Sequence, residues 1–183
     1  MIILLCGLSG AGKSTLARHV KQKLDAATIP AEIMDGDEYR SMLFKELGFS
    51  KSDRFENIRR LGFIAGKFSN YGIITIVSAI NPYEQVRNEL LDCYPNVKTV
   101  FVDCPVEILI ARDTKGLYTK ALLPEDHPDK VRNLTGINDQ FDVPANPDLY
   151  INTASKSISE CTDTLFDFII HQPNYKVLWQ PIP

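Results

Sequence analysis

The sequence predicts an α/β fold of three layers, with helices on both faces of a central parallel sheet of about five strands. Three observations carry that prediction. Short apolar runs alternate along the chain with segments of helical period, the pattern of successive βαβ units. A glycine-rich turn separates the first apolar run from the first helical segment. The length, 183 residues, suits one domain with a substantial core.

The elements follow in order. Strands are expected at Ile2–Cys6, Ala31–Met34, Ile73–Ser78, Lys98–Val102 and Leu149–Ile151. Helices are expected at Lys13–Ala26, Ser52–Phe68, Tyr83–Cys93, Val106–Arg112 and Ser157–Ile170. The stretch from Lys115 to Asn146 is polar, spotted with proline and without a clear period. Inside one domain spanning 1–183, a segment of that length reads as a lid or substrate loop over about 113–146. Trp179, in the tail "QPNYKVLWQPIP", is expected to pack on the body or on a second copy of the chain.

Bulk properties exclude several function classes. Hydrophobic residues make up 44% and charged residues 23%, as in ordinary globular proteins, and the net charge of −3 offers no general attraction to nucleic acid. Any anion site must therefore be local. Cys6, Cys93, Cys104 and Cys161 are scattered, with no CxxC pair, which argues against zinc and suits a reducing compartment. No apolar run reaches membrane-spanning length, and the start lacks a basic leader. The expectation is a cytoplasmic protein with small-molecule partners, no nucleic acid and no membrane.

The turn reads "GLSGAGKST", fitting G-x-x-x-x-G-K-[ST] from Gly7 to Ser14 between a strand and a helix. That is a P-loop, and it makes the expected architecture a P-loop NTPase fold. Gly7, Leu8, Ser9, Gly10, Ala11 and Gly12 would turn amide N–H groups toward phosphate oxygens. Lys13 would place charge on the β- and γ-phosphates, and Ser14, followed by Thr15, would offer a hydroxyl to Mg²⁺. The implied cofactors are ATP and Mg²⁺.

"MDGDEYR", Met34 to Arg40, follows the second expected strand. On its own, Asp35-Gly36-Asp37 reads as an Asx-Gly turn. At the carboxyl end of a parallel sheet beside a P-loop, the two acids can instead divide the roles of proton acceptor and Mg²⁺ anchor. Farther on, Ser50 and Asp53 resemble a capping box. Phe55, Ile58, Leu61, Gly62, Ala65 and Phe68 then recur on one face. Projection at about 100° per residue puts Arg54 inside that apolar arc and Asn57 at its edge. An inward arginine at a helix start calls for an anion or a buried carboxylate.

Together with "LGFSKSDRFENIRR", "RDTKGLY" and "LTGIND", these stretches resemble the adenylylsulfate kinase family from Gly7 to about Pro144. That family phosphorylates the 3′-hydroxyl of adenosine 5′-phosphosulfate with ATP. The resemblance implies Asp35 as catalytic base near Mg²⁺, with Lys13 on the transferring phosphate and Asp37 on the substrate side. It implies Arg40, Arg54 and Asn57 on the substrate's anion and nucleoside, with Phe49 stacked on its base. It further implies Ile80 and Asn81 beside the acceptor, Lys115, Gly116 and Leu117 in the lid, and Arg112 over the ATP adenine. A homodimer is the assembly expected.

Three stretches depart from the family pattern. Ile80-Asn81-Pro82 stands where the family has Ile-Ser-Pro. Leu134-Thr135-Gly136-Ile137-Asn138 replaces Phe-Thr-Gly-Ile-Asp, so Leu134 would close the base pocket without a second aromatic face. A longer lid, "ALLPEDHPDKVRN", replaces a short one. All three lie on the acceptor side. A kinase of another nucleotide with a 5′-linked anion, such as a cytidine nucleotide, and a nucleotide-binding module without catalysis both stay open on the sequence.

Overall fold

The computed structural model describes residues 1–173; Trp179 lies outside them. Five parallel strands form one sheet, β1 (Ile2–Cys6), β2 (Ala31–Asp35), β3 (Ile74–Ser78), β4 (Val97–Asp103) and β5 (Leu149–Asn152), in the order β2-β3-β1-β4-β5. All five residues of β1 are buried. Its alternate side chains serve two cores: Ile3 and Leu5 pack on one face, Ile2 and Leu4 on the other. A strand covered on both faces must be apolar throughout, which is why it reads as a continuous run instead of alternating.

The first core is closed by α1 (Lys13–Ala26) through Leu16, Ala17, Val20 and Leu24, together with Leu165 and Ile169 from the last helix. The second is closed by Phe55, Ile58, Leu61 and Ala65, and by Val86 and Leu90. The three-layer expectation holds.

Two short helices were not expected. α2 (Gly36–Met42) starts inside the Asx-Gly turn expected at Asp35-Gly36-Asp37, because the Asp35 carboxylate accepts from the Asp37 and Glu38 N–H groups and so caps it. α3 (Lys51–Asn70) begins one residue before the expected start and is capped as expected by Ser50, whose hydroxyl accepts from Asp53 N–H at 3.1 Å. α4 (Glu84–Cys93) and α5 (Val106–Arg112) lie within a residue of expectation. α6 (Leu117–Ala121) is the second addition, inside the segment that showed no period. There the Asp113 carboxylate accepts from Tyr118 N–H at 3.0 Å and Thr119 N–H at 2.8 Å. α7 (Ile158–Ile170) carries a full capping box between Ser157 and Glu160. No helix among the described residues is long and apolar enough to cross a membrane, and all four cysteines are free thiols.

Candidate active site

The carboxyl ends of the strands open into a cavity of about 1070 Å³. β1 and β3 are neighbours, and the connections that leave them run toward opposite edges of the sheet, β1 to β2 and β3 to β4, the arrangement that forms a crevice there. The loop from Gly7 to Gly12 bends at its floor. Gly7 is required by contact as well as by φ: a Cβ there would lie 2.2 Å from the Val102 carbonyl oxygen. Its N–H is spent on Ile80 O at 3.1 Å.

Ser9, Gly10, Gly12, Lys13, Ser14 and Thr15 line the cavity. Gly7, Leu8 and Ala11 do not line it, and Gly7 and Ala11 are buried. Lys13 Nζ donates to Gly7 O at 2.9 Å and Leu8 O at 2.7 Å. Burial pulls its ammonium down to about 8, because the charged form has lost solvent.

The acids take different positions. Asp35, at the tip of β2, accepts the Ser14 hydroxyl on Oδ2 at 2.6 Å, while its Oδ1 accepts Asp37 N–H at 2.9 Å. Ser78, at the tip of β3, lies 3.1 Å from the Ser14 hydroxyl. Asp37 instead reaches across the opening to Lys115 Nζ at 2.7 Å. Both line the cavity.

The opposite wall is cationic and aromatic. Arg40 from α2 and Arg54 from the first turn of α3 line it with Phe49, and their guanidinium carbons lie 4.9 and 5.7 Å from its ring centre. Burial and then the charge of Arg54 lower the pKa of Arg40. Arg54 is buried as the helical projection indicated. Its Nε donates to Phe49 O at 3.0 Å and lies 3.3 Å from Asp139 Oδ2, and Nη2 donates to Asn133 O at 2.6 Å. Tyr83 OH donates to Asp139 from the other side, 3.1 Å from Oδ1.

Ile80, Lys115, Leu117 and Leu134 complete the walls named from the sequence. Four others are elsewhere. Asn57 is buried under the wall. Gly116 sits at φ 64° as the N-cap of α6. Arg112 lines a small groove beside the loop, with Ser9, Gly10 and Thr114. Asn81 is buried at φ 49°, donates from Nδ2 to Leu5 O at 2.8 Å, and accepts Arg87 Nη1 on its carbonyl at 2.6 Å. Asparagine tolerates that left-handed turn, so Asn81 holds the turn that presents Ile80.

Sequence reasoning missed Ser78, Asn133 and Asp139 as parts of the site, and Arg18 and Lys45 on its walls. Ser78 could have been found as the last residue of a strand next to the P-loop. Asn133 acts through its backbone carbonyl, which no side-chain pattern reveals.

The adenylylsulphate kinase family model matches residues 1–152. An adenylyl-sulfate kinase of Synechococcus sp. (strain JA-3-3Ab) is 48% identical over 157 residues, covering 86% of each chain. One from Chloroflexus aurantiacus is 46% identical over 165 residues, covering 90% of this chain and 86% of the relative. The solved structure of the Mycobacterium tuberculosis APS kinase CysC, in complex with AMPPNP and APS, superposes with a TM-score of 0.86 at 35% identity, covering 92% of this chain and 96% of that one. With the P-loop, the acid at the tip of β2 and the paired arginines in one cavity, these matches place the chain in the adenylylsulphate kinase family.

Proposed function

We propose that the protein transfers the γ-phosphoryl group of ATP to the 3′-hydroxyl of adenosine 5′-phosphosulfate, releasing ADP. The observation that carries this reading is the shared cavity: the phosphate-binding loop, Asp35, Arg40, Arg54 and Phe49 all line one space. The likeness to adenylyl-sulfate kinases, one solved with AMPPNP and APS, supports it.

The roles follow from position. The loop amides and Lys13 hold the triphosphate and stabilise charge on the transferring group. Arg40 and Arg54 bind the acceptor's anionic end, and Phe49 offers a ring face to its base. Asp35 accepts the hydroxyl proton as the acceptor oxygen attacks phosphorus. Lys115 and Leu117 would close the opening from the lid, and Arg112, in the groove beside the loop, would lie over the adenine of ATP.

Mg²⁺ fits the oxygen donors present. Among the described residues no cluster of three or more His, Cys, Asp or Glu could hold a metal ion. Ser14 Oγ and Asp35 Oδ2 are 2.6 Å apart beside the loop, a sparse set suited to an ion that keeps waters and takes substrate phosphates as ligands. When bound, the ion would neutralise charge on the β- and γ-oxygens.

Leu134 favours a second reading. It lines the base side of the cavity as an aliphatic wall, which also suits a pyrimidine nucleotide with a 5′-linked anion. ADP release with adenosine 5′-phosphosulfate, AMP, CMP and a cytidine 5′-diphosphate compound tests both. Preference for the first supports the proposal; preference for a cytidine acceptor replaces it; no transfer to any leaves a nucleotide-binding module.

A further inference from the structure

The acceptor side of the cavity is walled by Val131 and Leu134. Between them Asn133 gives its carbonyl to Arg54 Nη2 at 2.6 Å, so the course of this short segment also sets the seat of Arg54. The wall is joined to the following turn by the amide of Asn138. Its Oδ1 accepts Leu134 N–H at 2.7 Å, and its Nδ2 donates to Val131 O at 2.8 Å. The partners fix the orientation of the amide, since only its oxygen can accept the N–H and only its nitrogen can donate to the carbonyl. The turn itself is built by backbone: the N–H groups of Ile137, Asn138 and Asp139 converge on Leu134 O. Val131 is tied on its far side to the lid helix α6, through its N–H to Lys120 O at 3.2 Å.

We propose that Asn138 is a positioning residue for the acceptor, tethering the lid segment at Val131 to the turn at Leu134 and so fixing the wall that meets the substrate base. The proposal rests on the kinase reading above. In this chain the tether uses an amide, at a position where the family pattern has aspartate. A carboxylate at this position would still accept from Leu134 N–H but would set its second oxygen against Val131 O, where two acceptors repel. Asn138 is exposed, so its loss leaves the core intact.

Asn138→Asp and Asn138→Ala test the proposal by amide hydrogen exchange and steady-state kinetics. Asn138→Asp should speed exchange at Val131 and spare Leu134, whereas Asn138→Ala should speed both. In each variant KM for adenosine 5′-phosphosulfate should rise about three- to tenfold, with KM for ATP and the melting temperature unchanged. Unchanged exchange at Val131 would overturn the tether. Faster exchange with unchanged acceptor KM, or an equal rise in KM for ATP, would overturn its role in acceptor binding. Wild-type protein inactive on adenosine 5′-phosphosulfate would count against the kinase reading, while the exchange pattern still decides the tether.

Discussion

The Ser14 hydroxyl donates to Asp35 Oδ2 at 2.6 Å, so the end of the phosphate loop and the tip of β2 meet in one hydrogen bond. Because Oδ1 of the same carboxylate caps α2, the group is held in orientation from two sides. Asp35→Asn keeps an oxygen for the cap and loses the ability to take a proton. It should lower kcat by roughly 10²-fold or more with little change in KM for ATP or in melting temperature. Greater damage from Asp37→Asn would reverse the roles of the two acids.

Asp37 and Lys115 make a different pair. They meet at 2.7 Å with side chains 73% and 54% exposed, so the contact is worth about 0–1 kcal/mol. Asp37→Asn should leave the melting temperature within about 4 °C of wild type. A larger drop in thermal unfolding would mean that the pair braces the lid against the body.

Lys13 gives a pH signature. With its ammonium at about 8, it is charged below that pH and increasingly neutral above it. ATP phosphates favour the charged form, so binding above pH 8 should draw in a proton, and kcat/KM for ATP should fall as pH rises past 8. Calorimetry in buffers of different ionisation enthalpy measures the uptake. Binding at pH 8.5 with no proton uptake would sink the assignment. Lys13→Ala should fold and lose transfer.

Arg54 separates the two substrates. Arg54→Lys keeps the charge but loses the fork that spans Phe49 O and Asn133 O, and should raise acceptor KM about tenfold with ATP KM nearly unchanged. Asp139→Asn removes its carboxylate neighbour, itself steadied by Tyr83, and should move acceptor KM in the same direction by a smaller factor. Parallel loss for ATP in either variant would place Arg54 in the scaffold or on the ATP phosphates.

Much of this was legible in the chain because the carriers are local. β1, the glycine loop and α1 are contiguous, and their chemistry follows from spacing alone. Arg54 pointed inward because the apolar stripe of α3 includes its position. What it meets was not legible: Asn133 lies 79 residues later and contributes only a carbonyl. α2 and α6 escaped for another reason. Each is too short to show a helical period, and in each the N–H groups of the first turn are taken up by an aspartate carboxylate, Asp35 or Asp113, whose role depends on the turn before the helix. Asn81 was matched by position to the acceptor side, whereas its left-handed backbone and bond to Leu5 O make it a turn-former.

The base pocket is where the sequence leaves its family pattern, and Leu134 tests the consequence. Leu134 is buried and lines the cavity, while Phe49 is half exposed on the same cavity, beneath the guanidinium groups of Arg40 and Arg54. On the proposed function, a purine held there would have one aromatic face and one aliphatic wall. Leu134→Phe adds a second face and should tighten adenosine 5′-phosphosulfate by about 1 kcal/mol or more, a fall in KM of about fivefold. The side chain also packs into the core under the lid, so overpacking costs roughly 1–3 kcal/mol of stability and the melting temperature should drop. A smaller pyrimidine acceptor would lose space and bind more weakly in the same variant. Acceptor KM for both nucleotides, measured in wild type and Leu134→Phe below the variant's melting temperature, separates these outcomes. No change for either nucleotide would mean that Leu134 shapes the lid without touching the base.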